Sequence, residues 1–214
     1  MEIKIDTTPI QFFIKAVRIN VKKLINKFID YYNNLFQIDP HKATEIHIEL
    51  ADALEKKGQD DRSIKAYKKI LLTEPENVTA LFKLGKIYTR LSHTKEALEV
   101  LNKVNILDGR NPEAFYLLGS IYFSNDAYKE AWEAFTNAIN LNPGYADAYY
   151  MLGLIAGARN DHDNAIKAYL KTIGLKPDYV KAYQSLGLTY EAKGMRDEAV
   201  KYFKKSLEVE QKKG

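Results

Sequence analysis

A Leu-Gly pair recurs every 34 residues along most of this chain, and this period limits the possible folds more than any other feature of the sequence. The pairs are Leu84-Gly85, Leu118-Gly119, Leu152-Gly153 and Leu186-Gly187. An alanine follows each of these glycines after twelve residues, and a leucine or aromatic residue follows after sixteen. A fixed period of this length is typical of repeat proteins, in which each unit is one supersecondary motif and neighbouring units complete its core.

The period divides residues 44–213 into five units. Leu50-Ala51, Ser63 and Tyr67 extend the register upstream of the first Leu-Gly pair. The units are 44–77, 78–111, 112–145, 146–179 and 180–213. Apolar residues at helical spacing predict two helices, A and B, in each unit, and in the third unit these cover roughly 112–123 and 128–141. The glycine of each pair leaves room for a close helix crossing, where a larger side chain would cost about 1–3 kcal/mol.

This register resembles the tetratricopeptide repeat (TPR) family over all five units. The matching residues are the Leu-Gly pairs, the alanines Ala97, Ala131, Ala165 and Ala199, the residues Leu101, Phe135, Tyr169 and Phe203, and the prolines Pro75, Pro143 and Pro177. The resemblance implies an all-α fold, a right-handed α-α superhelix (TPR solenoid) that binds other proteins. It also implies that the A helices line a concave groove.

The resemblance assigns twelve residues of the A helices to the lining of this groove. They are Asp52, Phe82, Lys86, Arg90, Glu113, Tyr116, Phe123, Asp147, Tyr150, Leu154, Lys181 and Leu188. The central members are mostly aromatic or aliphatic, and a groove of that kind suits an amphipathic helix that inserts its apolar face. A second interpretation stays open, in which neighbouring residues of the same chain partly cover these side chains.

A basic segment precedes the repeats. We predict a disordered N-terminus over residues 1–8 and a basic amphipathic helical arm, or degenerate half repeat, over 9–43. Its apolar seam includes Ile14, Val17, Val21, Leu24 and Phe28. The segment also contains five basic residues, Lys15, Arg18, Lys22, Lys23 and Lys27, and a single acid, Asp30. Three roles stay open for the arm: a cap on the first repeat, a detachable element that docks on a neighbouring copy, and an anchor on an anionic membrane surface.

Composition and motifs argue against several classes of function. The absence of cysteine excludes disulfides, thiolate metal sites and a cysteine nucleophile. No apolar run reaches the roughly 18 residues of a membrane span, and the N-terminus lacks a signal-peptide pattern, so we expect a cytosolic protein. A net charge of +4 is too weak for a general nucleic-acid partner. The stretch Asp161-His162-Asp163-Asn164 is interpreted as a turn in which Asp163 caps a helix. We expect no catalytic residues, no metal and no cofactor.

The layout of the chain also resembles that of the magnetosome-associated members of the TPR family. The relevant residues are Val21-Lys22-Lys23-Leu24 in the arm and Tyr190, Glu198-Ala199 and Phe203-Lys204-Lys205 in the fifth unit. This resemblance implies a cytoplasmic scaffold, peripheral on the magnetosome membrane, that forms a homo-oligomer when the arm docks into the groove of the next copy. Its other partners would be magnetosome-associated or client proteins. The alternative is a monomeric adaptor whose groove binds a foreign peptide or helix.

Overall fold

A computed structural model describes residues 40–212 of the chain, and this part is entirely α-helical. The helices are α1 (Pro40–Lys56), α2 (Asp60–Thr73), α3 (Val78–Arg90), α4 (Thr94–Leu107), α5 (Pro112–Ser124), α6 (Tyr128–Leu141), α7 (Ala146–Ala158), α8 (His162–Leu175), α9 (Val180–Ala192) and α10 (Arg196–Gln211). The chain divides into two compact units, Met1–Ile46 and His47–Gly214. The predicted disordered N-terminus and nearly all of the predicted arm lie outside the described residues.

The second unit is a stack of helices in which elements adjacent in sequence are also adjacent in space. From α2 onward, each helix packs against the next one along the chain, and α3, α5, α7 and α9 also contact one another in succession. This arrangement is the all-α TPR solenoid that the 34-residue period predicts. The two helices predicted for the third unit are confirmed, and the first of them is one residue longer than expected. The five unit boundaries themselves stay a prediction.

The glycine of each Leu-Gly pair lies where two helices cross closely. A Cβ atom placed on Gly119 would lie 2.8 Å from Cδ1 of Phe135, and one on Gly153 would lie 2.4 Å from Cε1 of Tyr169. Both distances are too short for real carbon atoms. Phe135 is fully buried, as is Ala131 on the same helix. The glycine and the large residue sixteen positions later therefore form one complementary contact, which the period repeats along the stack.

The turns between paired helices share one left-handed residue, placed every 34 positions. These residues are Gly58, Ser92, Asp126, Asn160 and Gly194, with φ between 57° and 76°. Only the first and last are glycine, so the three central turns hold a side chain in a conformation that most residues adopt reluctantly. The backbone of this turn is therefore set by the packing of the helices on both sides of it.

One local prediction is wrong. Asp163 does not cap helix α8, because the helix begins at His162 and Asp163 lies inside its first turn. The capping residue is Asp161, whose side chain accepts a hydrogen bond from the backbone N–H of Asn164 at 3.2 Å. Asp163 instead pairs with Lys193, the residue that follows α9.

Candidate protein-binding surface

The twelve predicted groove residues lie on α1, α3, α5, α7 and α9, and they are called the inner surface below. Nine of them are half-buried; only Arg90, Lys181 and Leu188 are exposed. Their environments differ along the stack. Ion pairs dominate in the first two units, and tyrosine rings dominate from the third unit onward.

Charged members of the inner surface are joined between neighbouring units. The Nζ atom of Lys86 lies 2.7 Å from a carboxylate oxygen of Glu113. The guanidinium of Arg90 donates two hydrogen bonds to the carboxylate of Asp60, at 2.7 and 2.9 Å, and its Nη2 lies 3.7 Å from Glu55. These pairs link α3 to α1, α2 and α5. They leave few unpaired charges on this part of the surface.

Asp52 is held by two partners at once. Its carboxylate lies 2.8 Å from Nζ of Lys83 and accepts a hydrogen bond from the hydroxyl of the fully buried Tyr67. Burial by itself would raise the pKa of Asp52, but the hydrogen bonds from Lys83 and Tyr67 outweigh it and lower the pKa below its usual value. Asp52 is therefore a negatively charged link between α1, α2 and α3 at neutral pH.

Tyrosine rings form the inner surface from the third unit onward. The ring of Tyr116 stacks on that of Tyr145 with centroids 5.0 Å apart, and the ring of Tyr150 lies 5.0 Å from that of Tyr179. Tyr150 also contacts the buried Tyr169, with centroids 5.8 Å apart. Aromatic pairs at these distances contribute about 0.5–1.5 kcal/mol beyond the area that they bury.

Two of these tyrosines, Tyr145 and Tyr179, lie near carboxylates. Burial raises the pKa of Tyr179 far above its usual value, and the nearby carboxylate of Asp147 adds to the effect. Burial also raises the pKa of Tyr145, with Glu113 and Asp147 adding to the effect. The tyrosines therefore stay protonated at any physiological pH.

An apolar hollow ends the inner surface. Leu154 on α7 and Leu188 on α9 line the same cavity of about 300 Å³, and the buried Tyr169 contributes to its wall. Leu188 is 59% exposed. A leucine so exposed beside an apolar cavity is the kind of feature that marks a contact surface for another molecule.

Both interpretations of the inner surface receive support. Tyr116 and Tyr150 are covered by tyrosines of the same chain, and Phe123 packs edge-on against Tyr128, with centroids 5.7 Å apart. Leu188, in contrast, keeps more than half of its surface open. The apolar surface available to a partner is therefore concentrated between α7 and α9.

Sequence reasoning missed residues outside the A helices. Tyr145 and Tyr179 each stand in the loop before an A helix, where the inward positions of the family do not reach. Their spacing of 34 residues is a signal that could have found them. Asp60, the partner of Arg90, belongs to a B helix and was missed for the same reason.

Residues 40–212 contain no cluster of three or more histidine, aspartate or glutamate residues arranged to hold a metal ion. Across the same range, no helix combines the length and the apolar character that crossing a bilayer requires.

Comparison with protein families identifies repeats along most of the described residues. A model described as anaphase-promoting complex, cyclosome, subunit 3 matches residues 56–136. A TPR repeat model matches residues 119–156 and 158–194, and a tetratricopeptide repeat model matches residues 180–213.

Solved structures resemble the chain over about three quarters of its length. A crystal structure of MamA is 52% identical, covers 76% of this chain and 95% of that one, and superposes with a TM-score of 0.72. MamA residues 41 to the end from Desulfovibrio magneticus RS-1 are 24% identical, with coverages of 79% and 96% and a TM-score of 0.73. YrrB, a TPR protein with an unusual peptide-binding site, is 23% identical, with coverages of 76% and 84% and a TM-score of 0.66. No curated protein sequence matches the chain.

Proposed function

The chain belongs to the tetratricopeptide repeat family of protein-interaction scaffolds, and we propose that it is a MamA-like scaffold that assembles with copies of itself through its N-terminal arm. In this proposal the arm of one copy docks on the inner surface of the next. The chain has no catalytic role. It acts by holding other proteins in a fixed arrangement.

The observation that carries this proposal is the open apolar surface between α7 and α9. Leu188 is 59% exposed beside the cavity that Leu154 also lines. An amphipathic helix could insert apolar side chains there. The arm supplies suitable residues, because Val17, Val21 and Leu24 recur at spacings of four and three.

Charge supports the same pairing of surfaces. Between Ile10 and Gln37 the arm carries five basic residues and one acid, which equals the whole formal net charge of +4. On the inner surface, Asp147 lies near Tyr179 but has no lysine or arginine partner within ion-pair distance among residues 40–212. A lysine of the arm would form an ion pair with this carboxylate.

Docking of an arm into the groove of another copy is a heterologous contact, because the two surfaces differ. Contacts of this kind form rings when the rotation closes and open filaments when it does not. We therefore expect large homo-oligomers rather than dimers.

We further propose that the assembly is cytoplasmic and peripheral on the magnetosome membrane. The resemblance to MamA motivates this location, and the basic arm offers an electrostatic contact with anionic lipid. Magnetosome-associated or client proteins would then bind to the assembled scaffold.

Size-exclusion chromatography of four full-length chains tests self-assembly. The unmodified chain should elute as large assemblies, and a Val21→Asp/Leu24→Asp variant should elute as small species. Leu188→Asp should also reduce assembly. Leu72→Asp is the matched control, because Leu72 is 82% exposed on the B helix α2, away from the inner surface. Monomers from the unmodified chain at all concentrations would contradict the proposal.

The second candidate is a monomeric adaptor that binds a foreign peptide or helix in the same groove. The coverage of Tyr116 and Tyr150 by their own neighbours favours a groove already partly filled, which needs no second copy for stability. A monomeric full-length chain with an unmodified arm would favour this candidate.

Vesicle flotation tests the membrane contact separately. Charge reversal at Lys15, Lys22 and Lys27 should release the chain from vesicles that contain anionic lipid. Unchanged flotation would exclude an electrostatic anchor in the arm.

A further inference from the structure

A second cavity lies on the opposite side of the helix pairs, between the B helices α4 and α6. It is called the B-helix pocket here, and its volume is about 480 Å³. Its lining includes Phe115 and Tyr122 of α5, Asn105 of α4, and Glu130 and Glu133 of α6. None of the proposed inner-surface residues contributes to it.

Asn105 departs from the pattern of the chain. The residues at the same place in the other four units, 34 positions apart, are Leu71, Ile139, Ile173 and Leu207. All four are apolar. Only the second unit has a polar side chain at this position, and this side chain lines the B-helix pocket.

The amide of Asn105 is incompletely satisfied. Its Oδ1 atom is buried and has no hydrogen-bond partner, and it is the only such side-chain atom among residues 40–212. A buried polar atom without a partner is unfavourable, so an apolar residue would be the better choice for folding alone. The torsion about the Cβ–Cγ bond has a broad energy profile, so the amide can reorient when a donor enters the pocket.

The charges around the pocket have one sign. Glu130 and Glu133 are exposed carboxylates, and no lysine, arginine or histidine lines the cavity. Neither residue takes part in an ion pair within the described range of the chain. Ile106, which is 83% exposed, adds an apolar patch at the rim.

We propose that the B-helix pocket receives an arginine side chain from a basic segment of a partner protein. The aliphatic stem of the arginine packs on Phe115 and Tyr122. Its guanidinium donates hydrogen bonds to Oδ1 of Asn105 and to the carboxylates of Glu130 and Glu133. Arginine suits the site because its planar group presents several donors in fixed directions. This site is independent of the inner surface and of self-assembly.

The test uses the full-length chain and a single fluorescent label. Because the natural sequence has no cysteine, Asn140→Cys introduces a unique attachment point on α6, one turn beyond the pocket. The probes are the peptide acetyl-Leu-Arg-Leu-amide and its citrulline counterpart, which keeps the planar group but has no charge. We expect the arginine peptide to bind at least about tenfold more tightly than the citrulline peptide, since loss of the charge weakens every hydrogen bond to the carboxylates.

Two sets of variants locate the binding. Glu130→Gln/Glu133→Gln should weaken the arginine peptide to the level of the citrulline peptide. Glu96→Gln/Glu99→Gln is the matched control, because these residues occupy the same positions one unit earlier and do not line the pocket. The control should leave binding unchanged.

The variant Asn105→Leu distinguishes a role of Asn105 in peptide binding from a role in stabilising the fold. Leucine is the residue that this chain uses at the same position in its first and fifth units. The variant should no longer bind the arginine peptide. Its unfolding temperature should be about 2–4 °C higher, because the substitution removes an unpaired polar atom from the interior. A lowered unfolding temperature would show that Asn105 has a structural role, and would overturn the proposal. Equal affinity for the two peptides, retained binding in Asn105→Leu, or no response up to about 10 mM peptide would also overturn it.

Discussion

The two halves of the inner surface are held together by different interactions. Between α1 and α5, neighbouring units are joined by ion pairs such as Lys83–Asp52 and Lys86–Glu113. From α5 onward, stacked or tilted tyrosines such as Tyr116 and Tyr145 take their place. The same backbone period therefore accepts two chemistries at corresponding positions. Each TPR unit keeps a small residue, glycine or in the first unit Ala51, sixteen positions before its large core residue, whereas the inner surface is free to vary.

The difference has consequences for binding and for stability. Ion pairs neutralise the surface between α1 and α5, and their net contribution is small because they stay partly exposed to water. The tyrosines bury more apolar area and leave Leu188 open at the end of the groove. We therefore expect the second half to be the more stable one and to contribute most of the energy of docking.

The largest difference in stability between the two halves is expected at alkaline pH. Burial raises the pKa of Tyr169 to about 12, from 10.0 in an ordinary environment. A raised folded-state pKa gives stability that is present below pH 10 and lost as the pH rises toward 12, by up to about 2–3 kcal/mol for this group. Proteolysis with subtilisin at pH 8 and pH 10.5, with cleavage sites mapped by mass spectrometry, should show more new cleavage in α7–α9 than in α2–α4, where burial raises the pKa of one tyrosine, Tyr67.

Tyr169→Phe is the control for this experiment, because it removes the ionising hydroxyl and keeps the ring. The loss of stability between pH 8 and pH 10.5 should become smaller in this variant. Equal loosening of both halves at pH 10.5 would contradict the assigned role of the tyrosines.

The second contrast concerns the glycines at the helix crossings. Gly153→Ala places a methyl group against the rigid ring of Tyr169 and should destabilise the chain by about 1–3 kcal/mol, less about 1 kcal/mol of gained helix propensity. Gly85→Ala meets the more adaptable side chain of Leu101, so we expect a smaller loss. The midpoints of urea unfolding measure both.

Gly174→Ala is the matched control, since no atom lies within 4 Å of a Cβ placed there. This variant should gain up to about 1 kcal/mol. The distinction between rigid and adaptable contacts fails if Gly153→Ala proves no more harmful than Gly85→Ala.

The smallest contrast is the response to salt. Raising NaCl from about 0.1 M to about 1 M shortens the screening length from about 10 Å to about 3 Å. Each ion pair of the first half should lose part of its roughly 0.2–1 kcal/mol. Hydrogen exchange followed by mass spectrometry should increase more in α2–α4 than in α7–α9, where Asp163–Lys193 is the only ion pair among the described residues.

Lys86→Met should remove part of this salt dependence, and Lys95→Met, at an exposed position on α4, should not.

Low pH should destabilise the same half of the inner surface. Because the pKa of Asp52 is lowered, its contribution is present above about pH 4 and is lost as the pH falls further. Faster exchange in α7–α9 than in α2–α4 at high salt would contradict the comparison.

Sequence reasoning predicted the fold well because the information is local and repeated. The helices of the third unit and the close helix crossing at Gly119 were predicted from the sequence. It predicted the inner surface less completely. Tyr145 and Tyr179 lie in loops, and two partners of the inner-surface charges, Asp60 and Tyr67, come from the B helix α2, which no inward position marks. The capping residue of α8 was wrong by two positions, because a cap depends on where the helix begins.

The sequence by itself determined the all-α stack, because a 34-residue period of glycine, alanine and large core residues can bury its apolar faces only against neighbouring copies of the same unit. The tertiary structure decided which inner side chains are covered, which carboxylates are paired, and that Asn105 lines a pocket. These features depend on distances between residues about 30 positions apart, and a linear pattern does not contain those distances.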